Sequence, residues 1–161
     1  MRFQRGQSIV EFALVLPLFL LFTIPIIYFG CIFADYVTLG TVARSSARAA
    51  AVAQPKTETQ QTPDYTAVRK EYMGQKLPFD IYEWEPSTRD KDFEIVYEPS
   101  TDTASNGNVT VTVKAKLQEK GFGKELAHIV NGLTGAQDID ELKITYTMYS
   151  EYKYNSSNKK Q

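Results

Sequence analysis

The sequence predicts an α+β fold: a long N-terminal helix that crosses a membrane, continues beyond it and packs against a small, mainly antiparallel β-sheet. Three observations carry this. From Phe12 to Ala34, FALVLPLFLLFTIPIIYFGCIFA, 23 residues pass without a charge, which as helix rise about 35 Å against a hydrocarbon core of roughly 30 Å. The following DYVTLGTVARSSARAAAVAQ keeps good helix formers. Two later segments then alternate apolar and polar residues with the period of a half-buried strand.

In chain order, a transmembrane and extended amphipathic helix is expected over residues 7–54, its outer half presenting Tyr36, Leu39, Val42 or Ala43, and Ala47 along one face. Pro17 and Pro25 each remove a backbone donor inside the span, which predicts local kinks. Residues 55–64 are polar and carry a proline near each end, as a linker does. An extracytoplasmic α+β domain follows over 65–154, and 155–161 reads as a disordered tail.

Within the domain, Tyr65 to Lys76 is expected as a short helix and Trp84 as an anchor in the turn-rich PFDIYEWEPS. Phe93, Ile95 and Tyr97 mark one strand. NVTVTVKAKL puts Val109, Val111, Val113, Ala115 and Leu117 on the buried face of a second, and Asn106-Gly107 is the turn signal between the two. Lys124 to Leu133 is expected as a helix closed by Gly132 and Gly135. The stretch from Asp140 to Tyr154 is expected as the last strand, with Leu142, Ile144, Tyr146 and Met148 turned inward. Three strands with one apolar face need a cover, and Tyr36 to Ala53 is the longest amphipathic stretch available.

Charge limits the partners. Residues 1–54, 55–109 and 110–161 carry +2, −5 and +2, with no basic stripe able to neutralise phosphates, so nucleic acid is not an expected partner. One cysteine and one histidine exclude a disulfide framework and a multi-histidine zinc site. Cys31 fits as a small apolar group of the helix, and His128 as a surface or partly buried residue. Arg44 and Arg48, one turn apart, fit a solvated face, lipid headgroups or a partner helix. Asp80, Glu83 and Glu85 fit a solvated, turn-rich segment, and the tyrosines at 146, 149, 152 and 154 fit a strand with two faces. With no Ser/His/Asp set, metal spacing or glycine-rich phosphate loop, catalysis and cofactors are not expected.

One acid stands where a membrane helix should least want it. Ser8-Ile9-Val10-Glu11 has the form of a capping box, with Ser8 as the helix cap and Glu11 reaching back to it near the positive end of the helix dipole. A basic leader MRFQR (1–5), Gly6, four residues and then Glu11-Phe12 opening an apolar helix resemble the class III signal of type IV pilins. More narrowly, RGQSIVEFALVLPLFLL is similar to the N-terminal motif of TadE-like proteins, pseudopilins of the tight-adherence (Flp) pilus system. Gly6, Val10, Glu11, Phe12, Ala13 and Pro17 match their pattern, and ARSSARAAAV at 43–52 is similar to the family's alanine- and arginine-rich ending.

The resemblance implies a leader peptide over 1–6, cut between Gly6 and Gln7 by a prepilin peptidase that recognises Gly6, Gln7, Glu11 and Phe12. It implies Glu11 and Pro17 as assembly contacts. It also implies a pilin-like minor subunit or assembly factor, since the family's major pilins are little more than the helix. Partners would be other pilins and pseudopilins, the inner-membrane assembly platform, through which the assembly ATPase acts, and membrane lipid. The positive-inside rule favours a cytoplasmic N-terminus and an extracytoplasmic C-terminal domain, in the inner membrane or in a surface pilus. The competing expectation is a single-pass, membrane-anchored protein whose outer domain binds a ligand or partner without entering a filament.

Overall fold

The computed structural model describes residues 3–57, 60, 62–79, 81–87, 90–100, 106–135 and 139–152. Helix α1, Phe3–Ala51, contains both Pro17 and Pro25 and is long and apolar enough to cross a membrane. Hydroxyls along it donate to the carbonyl one turn back, Thr38 to Ala34 at 2.9 Å, Thr41 to Val37 at 3.0 Å and Ser46 to Val42 at 2.6 Å. Such bonds let the polar Ser46 sit fully buried.

The rest of the chain forms α2 (Thr66–Tyr72), β1 (Tyr82–Glu83), a 3₁₀ turn (Asp90–Asp92), β2 (Phe93–Glu98), β3 (Asn108–Leu117), α3 (Phe122–Thr134) and β4 (Glu141–Tyr149). β3 is the central strand. β4 lies antiparallel along one side of it, from Asn108↔Tyr149 to Lys116↔Glu141. The other side is shared end to end by β2, from Phe93↔Val113 to Glu98↔Asn108, and β1, which pairs Tyr82 with Leu117.

This register puts the apolar sets on one face, as the alternation predicts. Val109, Val111, Val113 and Ala115 sit opposite Met148, Tyr146, Ile144 and Leu142. On the outer face Thr110 and Thr147 bring their hydroxyls to 3.1 Å, and Thr112 and Thr145 theirs to 3.3 Å. The inner face packs on the outer half of α1, where Leu39, Val42, Ala43, Ala47 and Ala50 join Phe93 and the β3 valines in one buried cluster. Alanines let a helix backbone approach a sheet closely, and Gly40 carries this further, since a Cβ there would already touch Ile144.

The far end of α1 is tied into the domain. The carbonyl of Ala51, one of those a helix leaves without an internal donor, accepts from the N–H of Glu151 at 2.8 Å, just past the end of β4. β4 therefore runs parallel to α1, with Ile144 beside Gly40 and Ser150–Glu151 beside Ala51.

Several expectations are corrected. Tyr36 is exposed, and the buried position on that turn is Asp35. The segment read as a linker is pinned where it is described: Asp64 N–H donates to the Gln54 carbonyl at 3.2 Å, Lys56 Nζ meets Asp64 at 2.9 Å and Pro63 is buried. α2 stops at Tyr72, before Gly74. Gly107 is not a left-handed turn residue: among the described residues only Gly121 and Gly135 have positive φ. Gly107 instead lies buried against Tyr97 and Glu98, its carbonyl accepting from Ser150 N–H at 2.8 Å. Gly135 alone closes α3, in the left-handed conformation with its N–H on Asn131 at 2.8 Å, while Gly132 stays inside the helix.

β4 ends at Tyr149, short of the expected Tyr154. Tyr152 lies beyond it, edge-on to Tyr97 with ring centroids 5.7 Å apart. Trp84 is buried as expected, edge-on to Phe93. The expected tail, 155–161, lies outside the described residues.

Candidate functional site

The candidate residues all lie on the first turns of α1. The helix is already formed from Phe3, so Gly6 and Gln7 are helical and Ser8 sits in the second turn. A capping residue must flank a helix, not occupy its interior, so the uncut chain does not use Ser8 as the helix cap. Residues 3–7 contain no proline to stop the helix, and a single glycine costs only about 1 kcal/mol.

Ser8, Glu11, Phe12 and Pro17 are all exposed, and every residue from Ser8 to Phe22 shares that exposure. Nothing described in this chain covers the collar. Glu11 stands four residues after Gln7, on the same face and within about 6 Å of rise. Pro17 lies nearly two turns further on and faces elsewhere. The result is an apolar cylinder carrying one acid near its start, suited to lipid or to other helices of the same kind.

Residues elsewhere fall into structural roles. The Arg44 guanidinium lies 5.8 Å from the centroid of the Tyr146 ring of β4, so this arginine packs on its own domain. Arg48 and His128 are exposed, and Cys31 is a half-buried free thiol of α1. Glu83 belongs to β1 and Glu85 is exposed, while Asp80 lies outside the described residues. No cluster of three or more His, Cys, Asp or Glu side chains able to hold a metal occurs among the described residues.

The functional-looking residue that the pattern reading passed over is Asp35. Fully buried, it accepts a hydrogen bond from the N–H of Phe79 at 3.1 Å. Its signal was its phase, since Asp35 is four residues before Leu39 and seven before Val42, on the face that enters the core.

Residues 6–48 match the family of TadE-like proteins. The TadE-like segment starts at Gly6, takes in Glu11 and Pro17, and ends at Arg48. It thus lies wholly within α1, and the sheet domain falls outside it. The chain matches no curated protein and no solved structure. The match covers the exposed collar and its single acid, on a helix long and apolar enough to cross a membrane.

Proposed function

We propose that this protein is cut between Gly6 and Gln7 by a prepilin peptidase and acts as a minor subunit or assembly factor of a Tad/Flp-type pilus. The observation that carries the reading is the TadE-like match beginning at Gly6, on a helix that is exposed on every side from Ser8 to Phe22. Other pilins and pseudopilins would bury that collar, and the inner-membrane platform would lift the subunit from the bilayer. The N-terminus faces the cytoplasm and the sheet domain lies on the far side.

Cleavage would place Ser8 and Glu11 at the very start of the helix. With Gln7 as the new first residue, Ser8 flanks the helix and Glu11 falls three residues later, which is the capping-box spacing. The new ammonium of Gln7 lies within reach of Glu11 of the same chain or of a neighbour. A carboxylate without a partner costs about 2.5–3.5 kcal/mol at the centre of a membrane helix, and less toward the interface. Pairing in the assembled filament relieves that cost and fixes subunit register.

The test is Gly6→Leu. Intact mass of the wild-type protein from cells with an active peptidase should lack Met1 to Gly6, whereas the variant should keep the leader and fail to support piliation. A sheet domain lying outside the matched segment favours the second reading, an anchored partner-binding protein. On that reading the wild-type protein keeps its leader and Gly6→Leu leaves its behaviour unchanged.

A further inference from the structure

α1 is exposed on all sides only as far as Phe22. From Phe12, where the charge-free run begins, that is about 16 Å of rise, roughly half of a hydrocarbon core near 30 Å. The remainder must come from the turns between Thr23 and about Ile32. There α1 is two-sided: Tyr28 and Ile32 are buried and Ile24 and Cys31 partly so, while Ile26, Ile27, Phe29 and Phe33 stay exposed. A helix that spans therefore brings the domain's near end down to the outer leaflet.

The element at that end is α3. β3 finishes where β4 begins, at Lys116↔Glu141, three residues on the membrane side of Ile144, which lies beside Gly40. The chain between those strand ends makes α3, which packs on α1. Leu126, Ala127 and Val130 of α3 share one buried cluster with Tyr28 and Ile32.

The apolar arc of α3 is wider than this contact uses. Ile129 and Leu133, one turn apart beside the buried stripe, are 48% and 47% exposed, and Ile139 just beyond the helix is 43% exposed. Glu125, one turn before Ile129, heads the same ridge, and His128 lies on the polar side. Exposed branched side chains at one end of a domain, continuous with the lipid-facing surface of its own anchor, have the distribution of an interfacial helix.

We infer that α3 rests its Ile129–Leu133 ridge in the headgroup and upper acyl region of the bilayer that α1 spans. The occupant of this face is lipid, and the domain sits flush on the membrane until the subunit is extracted. The inference rests on the reading that α1 spans.

The experiment uses the full chain with Cys31→Ala, reconstituted in vesicles of phosphatidylethanolamine and phosphatidylglycerol. Nitroxide labels are placed one at a time at Phe19→Cys, Ile129→Cys, Leu133→Cys and Thr145→Cys. Accessibility to oxygen, which concentrates in lipid, is compared with accessibility to a water-soluble nickel chelate. The expected result is a lipid profile at 19, a water profile at 145 and, at 129 and 133, an oxygen-to-nickel ratio several-fold above that at 145. Water profiles at 129 and 133 with a lipid profile at 19 overturn the inference alone. A water profile at 19 overturns the spanning reading and the inference with it.

Discussion

The carboxylate of Asp35 holds the backbone N–H of Phe79 at 3.1 Å, joining a buried turn of α1 to the loop that leads into β1. Taking the acceptor from this part-buried amide costs about 1 kcal/mol, the low end of the range for a buried one. Asp35→Leu should therefore destabilise the domain by about that amount, and Asp35→Asn, which keeps an oxygen in place, by less. Urea unfolding of the full chain in detergent, followed by Trp84 fluorescence, measures the difference. Equal stability of all three proteins would show that the loop finds its bonds elsewhere.

Gly107 is required by space, not by backbone angle. A Cβ added there would press into the carbonyl oxygen of Glu98 and come within 2.7 Å of the Tyr97 ring. The carbonyl belongs to the last residue of β2 and cannot swing away. Gly107→Ala should lose about 1–3 kcal/mol, as overpacked sites do, and loosen the start of β3 most. Amide hydrogen exchange should show faster exchange at Val109 and Tyr97 than at Val113, and uniform protection would contradict the prediction.

The contrast between these positions shows what the sequence could reveal. β2, β3, β4 and the packed face of α1 followed from periodicity because each buries one side along its whole length. β1 did not, since Tyr82 and Glu83 are strand only by pairing with Leu117 and Lys116 across the sheet. Tyr36 lost to Asp35 because burial on α1 is set by the angle at which the sheet sits, and an acid qualifies once a backbone donor meets it. At the candidate site, the spacing of Gly6, Glu11 and Pro17 was readable as a motif. Where the helix begins was not, because that depends on whether the leader extends it.

Asp64 gives the domain a pH dependence. Its carboxylate accepts from the Thr66 hydroxyl at 2.6 Å and the Thr66 N–H at 3.1 Å, and pairs with Lys56 at 2.9 Å. The Thr66 hydroxyl first, then Lys56, hold its pKa at about 2, below the ordinary 3.8. A depressed pKa means that the stabilisation is complete above about pH 4 and is lost as pH falls toward about 2. The difference in melting temperature between wild type and Asp64→Ala should stay constant from neutral pH down to about pH 4 and then close. A difference that persists unchanged at about pH 2 would assign the effect to packing, not charge.

Glu11 and Ser8 can be separated by two substitutions. On the proposed reading, cleavage leaves Ser8 to cap the helix and Glu11 to complete the box, a position that glutamine fills equally well. Glu11→Gln therefore removes the charge and keeps the cap, whereas Ser8→Ala removes the cap, at about 1 kcal/mol, and keeps the charge. If Glu11 serves assembly by pairing with a Gln7 ammonium, Glu11→Gln should be cut, inserted and helical yet missing from purified filaments. Ser8→Ala should still be incorporated, with faster amide exchange confined to its first turn. Incorporation of Glu11→Gln at the wild-type level would leave the carboxylate no role in register, and the acid would then belong to the helix start alone.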